Sequence, residues 1–342
     1  MSKSTSFFVS GLLVGVLLAT AGFSMLRRYQ LSSGGANNDA RVVLKLGHVL
    51  DVGHPVHKAI DHMRARLEEL SGGEMTIDIY PGAVLGSETQ SIEQLQNGSL
   101  SMTKTSAAVI ENFVPEMAVF GLPYVFRDKP HFWAVLDGDI GKRLLQEGES
   151  KFVRGLCYYD SGSRNFYGKF PVESPADMEG RKIRVMNSAT AMEMVQAFGA
   201  APTPIAWGEL YSALAQGIVD GAENNFPTFS ASKHYEVCKH FTLDGHTRIP
   251  DVLLIGTKTW DRLTGQQRQW LQIAADESAV VQRELWLAAT QEARELAESN
   301  GVTVYEVDAQ NFADKVKEMH GQVTDEKIKQ TLAAMQEVKA DE

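Results

Sequence analysis

The chain has 342 residues, 44% of them hydrophobic and 22% charged, a balance that excludes a disordered or fibrous polypeptide. Its formal net charge of −10 argues against nucleic acid as a partner, but leaves room for a small anion held by a local pair of cations. Two cysteines, Cys157 and Cys238, are too few for a disulfide framework or a zinc site; they read as two separate buried thiols, with one bridge as the alternative.

At the N-terminus, Lys3 precedes an uncharged apolar run from Phe7 to Leu26. A basic start before an apolar stretch is the pattern of an export signal, and Ala19-Thr20-Ala21 offers a small-x-small cleavage site. The run also reaches the length of about 20 residues that spans a bilayer. Two readings therefore stand for 1–26, a cleaved signal and an uncleaved membrane anchor. Both predict export of the rest of the chain. Residues 27–40, ending in the polar LSSGGANNDA stretch, read as a linker.

Beyond the linker, strand and helix patterns alternate. Val42–Leu50 reads as a buried strand, and Val56, Ile60, Met63, Leu67 and Leu70 share one helical face closed by Gly72-Gly73. Met75–Tyr80 alternates as a strand, Ser87 caps a short helix through Gln96, and a strand runs near Leu100–Thr105. Phe152–Tyr159 and Lys182–Met186 follow as strands, and Ser188 caps a helix through Phe198. Trp207–Gln216 is helical, Ile218–Ala222 extended and Val252–Thr257 a buried strand. A helix from about Gln266 to Ser299 would be roughly 50 Å long, enough to brace two domains. Val302–Val307 is the last strand, and the charged tail after Asp308 is helical. The alternation predicts an α/β fold with largely parallel sheets in two lobes. Residues 41–160 would form mainly the first lobe, 161–257 mainly the second, and 258–342 the bracing helix and the C-terminal helices.

The chain carries no dinucleotide-binding, phosphate-loop, zincin or nucleophile-elbow motif, and no cofactor or metal is expected. His54 and His57 have a ligand spacing, but no cysteine or carboxylate cluster accompanies them. Cys157 lies within an apolar strand and reads as a structural thiol. The informative tract is 159–229, where three polar stretches stand at strand ends: Asp160–Arg164, Arg184 with Asn187, and Asp220–Asn225. In open α/β sheets, ligands bind beyond the carboxyl ends of the strands. Arg184, between Ile183 and Val185, needs an anionic partner if buried. That partner is either a ligand carboxylate held with Arg164 or an internal carboxylate such as Glu223.

Five segments, in this order, resemble the substrate-binding proteins of tripartite ATP-independent periplasmic (TRAP) transporters of the C4-dicarboxylate-binding type. They are Tyr80-Pro81-Gly82-Ala83-Val84-Leu85-Gly86-Ser87-Glu88, Gly121-Leu122-Pro123-Tyr124-Val125-Phe126, Met178–Val185, Pro202–Leu214 and Gly217–Asn224. The resemblance implies a two-lobed periplasmic-binding-protein-like fold with a long bracing helix and a ligand cleft between the lobes. It also implies a small organic acid as ligand, membrane permease subunits as partners and no catalysis. Arg184 matches the family arginine that pairs with the ligand carboxylate, Arg164 a second arginine, and Asn224 the asparagine of the Glu-Asn-Pro turn. Asn225 stands where the family more often has proline. Asn187 and Trp207 fall at pocket positions, and His54, Glu88, Lys104 and His246 are further candidates. This set is richer in acceptors and amides than a C4-dicarboxylate requires, and Asn224-Asn225 with His234-Tyr235-Glu236 resembles the sugar-acid-binding branch. A uronate is therefore the expected ligand, with a dicarboxylate, an exported enzyme using Glu88 and His54, and a ligand-sensing subunit as the alternatives.

Overall fold

The computed structural model describes residues 41–339, and Val42 onward forms one compact unit. The apolar run Phe7–Leu26 and its cleavage motif lie outside the described residues. Among the described residues, no helix is long and apolar enough to cross a membrane.

The described residues begin with β1 (Val42–Gly47), α1 (Pro55–Leu70), β2 (Met75–Tyr80), α2 (Glu88–Asn97) and β3 (Met102–Ser106). Short helices α3 (Ala107–Ile110), α4 (Lys129–Asp137) and α5 (Asp139–Glu147) lead to β4 (Val153–Tyr159). Next come β5 (Asn165–Gly168), β6 (Lys182–Val185), α6 (Ala189–Ala197), β7 (Ala201–Pro204), α7 (Trp207–Gln216), β8 (Gly221–Asn224), α8 (Phe226–Ala231) and β9 (His240–Leu243). The chain ends with β10 (Asp251–Gly256), α9 (Thr257–Arg262), α10 (Gly265–Ser299), β11 (Thr303–Glu306), α11 (Ala309–Val316), α12 (Glu318–Gln322) and α13 (Glu326–Glu337).

Two sheets carry the lobes, ordered β2-β1-β3-β10-β4 and β11-β9-β5-β8-β6-β7. Each is largely parallel, as expected, with one reversed strand: β10 runs antiparallel to β3 and β4, and β5 antiparallel to β8 and β9. The reversed strands are those that enter directly from the other lobe, through 160–164 and 244–250. Two strands also sit away from the regions expected to hold them. β10, within 161–257, lies in the first sheet, and β11, beyond 257, lies in the second.

Burial explains these elements. In β10, Val252 and Leu254 enter one core cluster while Leu253 and Ile255 enter the other, so both faces are covered and the strand reads as an unbroken apolar run. The long helix α10 spans 35 residues. Leu271, Ala274, Ala275 and Ala279 pack in the first lobe against α1, and Ala293 and Ala297 pack in the second with Phe241 of β9. Small residues at both ends let the helix approach each lobe closely. In the crossing segment, Gly162 has φ +61°, and a Cβ there would lie 3.1 Å from the Trp286 indole nitrogen of α10. The C-terminal helices cross back: Phe312 and Val316 join the second-lobe core, Ile328 and Met335 the first.

Candidate functional site

Strand alternation aims Arg184 into the cleft. On β6, Ile183 and Val185 enter the second-lobe core with Phe166 and Phe198, so Arg184 points from the opposite face. The side chain is 2% exposed. Its Nε donates to the Ile205 carbonyl at 2.9 Å, and its Nη1 is buried without a hydrogen-bond partner among the described residues. The guanidinium stands 5.7 Å from the Trp207 ring. Burial holds its pKa below the ordinary arginine value, since the charged form has lost water and gained little in return.

Arg164 stands beside it in a different state. Its backbone N–H bonds the Thr247 carbonyl at 2.8 Å, where the two crossing segments meet. Its guanidinium forks onto Glu223 of β8, through Nε to Oε2 and through Nη2 to Oε1 at 2.8 Å. Its Nη1 donates to Asn224 Oδ1 at 3.2 Å. Burial alone would raise the Glu223 pKa, but Arg164 outweighs it and holds the carboxylate at about 2. His246 backs the same carboxylate from 3.5 Å and donates through Nδ1 to Asp244 at 2.7 Å. Burial opposes charge on His246, yet the two carboxylates push its pKa up to about 9. The internal carboxylate expected as a partner for Arg184 thus serves Arg164. The two-arginine clamp reduces to one free guanidinium and one already occupied.

The first-lobe wall is built around Lys104 of β3, 3% exposed. Its Nζ lies 3.1 Å from Asp251 Oδ2 of β10 and 3.5 Å from Glu88 Oε1 of α2. Burial works against the ammonium, but the two carboxylates prevail and raise its pKa. Glu88 Oε1 also accepts the Ser106 N–H at 3.2 Å.

One cavity joins these walls. Arg184, Arg164, Asn224, Glu88, Lys104 and Trp207, all expected at the site, line it together with Ser106, Ser161, Thr228 and Asp251. It adjoins an outer groove of about 590 Å³ shared by Glu88, Arg184 and Trp207, where Asn187 lies. Asn187 accepts at its carbonyl from Asn112 Nδ2 at 2.7 Å. Three further expected residues line neither the inner cavity nor the outer groove. Asn225 caps α8, accepting the Thr228 N–H at 2.8 Å, and its amide donates to the Ser161 carbonyl at 2.8 Å. His246 lies behind Glu223, with no exposure. His54 caps α1 through Nδ1 and reaches the cavity only through Thr228, 3.2 Å from its Nε2.

Residue-by-residue reading missed Asp251, although a lysine inside a strand requires a carboxylate by the argument applied to Arg184. It also missed Thr228, which the Asn225-Phe226-Pro227-Thr228 helix start would have marked. The imidazoles of His54 and His57 do not converge: His57 Nδ1 stands 3.0 Å from His48 Nε2. Among the described residues, no cluster of His, Cys, Asp and Glu is placed to hold a metal. Cys157 and Cys238 are separate, buried and unbridged, and burial pushes both thiols up, away from nucleophilic thiolate. A second depression, about 560 Å³, lies between α5, β4 and α10. Its arginines are already paired, Arg154 with Glu149 and Arg283 with Asp137.

Residues 46–330 match the model of the bacterial extracellular solute-binding proteins, family 7. A solute-binding protein of Chromohalobacter salexigens is 33% identical over 275 residues, covering 80% of this chain and 82% of its own. A TRAP periplasmic solute-binding protein of Xanthobacter autotrophicus Py2, solved with bound β-D-galacturonate, superposes with a TM-score of 0.85. It is 35% identical, with 86% of this chain and 100% of that chain covered. The corresponding protein of Citrobacter koseri, solved with bound D-glucuronate, gives a TM-score of 0.83 at 37% identity, covering 87% and 99%.

Proposed function

This chain belongs to the bacterial extracellular solute-binding proteins of family 7, and from that premise we propose that it captures a uronate in the periplasm and delivers it to a membrane TRAP permease. The observation that carries the reading is Arg184, buried with Nη1 unpartnered. Among the described residues, every other cation lining the inner cavity has a carboxylate of its own: Arg164 has Glu223, and Lys104 has Asp251 and Glu88. One free cation suits one ligand carboxylate. A second carboxylate would meet Glu88 and Asp251, whose acceptor-only oxygens suit hydroxyl donors instead. A sugar acid supplies one carboxylate and several hydroxyls, and relatives solved with galacturonate and glucuronate agree with that chemistry.

The carboxylate docks on Arg184, with Arg164 and Asn224 beside it. Closure of the first lobe then brings Glu88 and Ser106 to the hydroxyls. The closed form is what the permease recognises, and the acid is released unchanged. The enzyme reading lacks a free acid–base pair, because His54 is committed to a helix cap and Glu88 to Lys104 and the Ser106 amide. Export is assigned to the apolar run before residue 27, as a cleaved signal or as a tether.

Thermal unfolding with a panel of uronates, aldonates and C4-dicarboxylates tests this. At a hundred times its dissociation constant, a true ligand adds about 2.7 kcal/mol of stability. Stabilisation by uronates is the expected result. Stabilisation by dicarboxylates alone would overturn the one-cation argument.

A further inference from the structure

The contact between His54 and Thr228 fixes the direction of a hydrogen bond inside the cavity. His54 is the N-cap of α1, and its Nδ1 accepts the Val56 N–H at 3.2 Å. A neutral imidazole with Nδ1 as acceptor carries its proton on Nε2. Burial, and after it the nearby charge of Lys104, holds the His54 pKa well below its ordinary value, so the ring is neutral. It is 2% exposed and packs 5.8 Å from Trp286 of the long helix. The Nε2–H faces Thr228 Oγ1 at 3.2 Å, across the cleft on α8. The Thr228 backbone N–H is already bound by Asn225 Oδ1. The Thr228 hydroxyl oxygen therefore accepts from His54 with one of its two lone pairs, and its hydrogen has no acceptor of its own among the described residues. That hydroxyl lines the cavity with Arg184 and Glu88.

We infer that Thr228 is a specificity-determining residue that donates a hydrogen bond to a hydroxyl or ring oxygen of the sugar acid, and that His54, by donating to the Thr228 oxygen, is the positioning residue that leaves its hydrogen for the ligand. The inference rests on the uronate reading for the identity of the acceptor, but the direction of the bond does not. It changes the part expected of His54, which acts through Thr228 rather than on the ligand. It also divides the cavity by polarity. Glu88 and Asp251 only accept and Arg184 only donates, while the Thr228 hydrogen is left to donate, so a ligand must present oxygens in both senses. A ligand lacking the oxygen opposite Thr228 leaves a buried donor unpaired, which disfavours it.

Calorimetric titration of the full chain with D-glucuronate and D-galacturonate tests this in four forms: wild type, Thr228→Val, Thr228→Ser and His54→Asn. The Asn side chain keeps the cap on α1 but does not reach Thr228. Thr228→Val should bind roughly tenfold weaker or worse, and Thr228→Ser within about threefold of wild type. His54→Asn should weaken binding, and adding Thr228→Val to it should cost less than Thr228→Val alone. Wild-type affinity in Thr228→Val, equal losses in the Val and Ser variants, or additive losses in the double variant would overturn the assignment. Nitrogen NMR of His54 in the ligand-free full chain is an independent readout, since the cap on α1 is local and persists in an open form. The Nε2–H tautomer supports the inference, and the Nδ1–H tautomer overturns it. A wild type that binds neither uronate but holds the Nε2–H tautomer would overturn the substrate class and support the donor direction.

Discussion

Both walls of the cleft bury basic side chains, yet they present opposite faces to a ligand. On the first-lobe wall, Lys104 lies between Asp251 and Glu88, so the wall carries surplus negative charge and two accepting carboxylates. On the second-lobe wall, Arg164 is neutralised by Glu223, while Arg184 has only a backbone carbonyl and a bare Nη1. A count of cations gives three candidates for a carboxylate, whereas their partners leave one. On the proposed reading, ligand charge is set by which cations remain unpaired inside the protein, and the difference between Arg164 and Arg184 is the place to test that.

The largest effect should come from breaking the paired arginine. Arg164→Met leaves Glu223 buried with only the more distant His246 beside it, and should destabilise the ligand-free chain by about 3–5 kcal/mol. Arg184→Met removes a buried charge that has no partner to strand, and should leave the ligand-free chain as stable as wild type or more so. Denaturant unfolding of the two variants reads this directly. Equal destabilisation would mean that Arg184 is as well satisfied as Arg164, and the contrast between them would fail.

Binding should show the reverse order. Arg184→Ala should weaken uronate binding by about 3 kcal/mol, since a buried charge-assisted pair is lost. That is roughly a hundredfold in the dissociation constant. Arg184→Lys should recover little of it, because an ammonium lacks the planar fork. Calorimetry on both variants checks this, and near wild-type affinity in Arg184→Ala would remove the carboxylate dock.

Much of this was legible in the chain because burial leaves marks in sequence. An arginine between Ile183 and Val185 announces a charge among apolar neighbours, and the period of α1 and the caps at Ser87 and Ser188 announce helices. The illegible parts depend on partners distant in sequence. Nothing local tells that Glu223 pairs with Arg164 rather than Arg184, because the choice is made by the register of β5 against β8, which sets Phe166 opposite Glu223. β7 was missed because Pro202 and Pro204 argue against a strand. It is tolerated at the sheet edge, where one side of the strand needs no ladder partner. β5 and β9, four residues each, are too short to show a period.

The smallest effect concerns Asn225, which the chain suggested as a ligand contact and the fold uses as a cap. Its Oδ1 holds the Thr228 N–H, and its amide ties Ser161 to the start of α8. Loss of an asparagine cap costs about 1 kcal/mol of stability. Asn225→Ala should lower the unfolding free energy of the ligand-free chain by that amount. It should weaken uronate binding far less than Arg184→Ala, because no Asn225 atom lines the cavity. Stability and affinity measured on the same preparation separate the two roles. An affinity loss as large as that of Arg184→Ala, with stability unchanged, would return Asn225 to the ligand's own shell. The free-charge contrast between the walls would then account for only part of the binding.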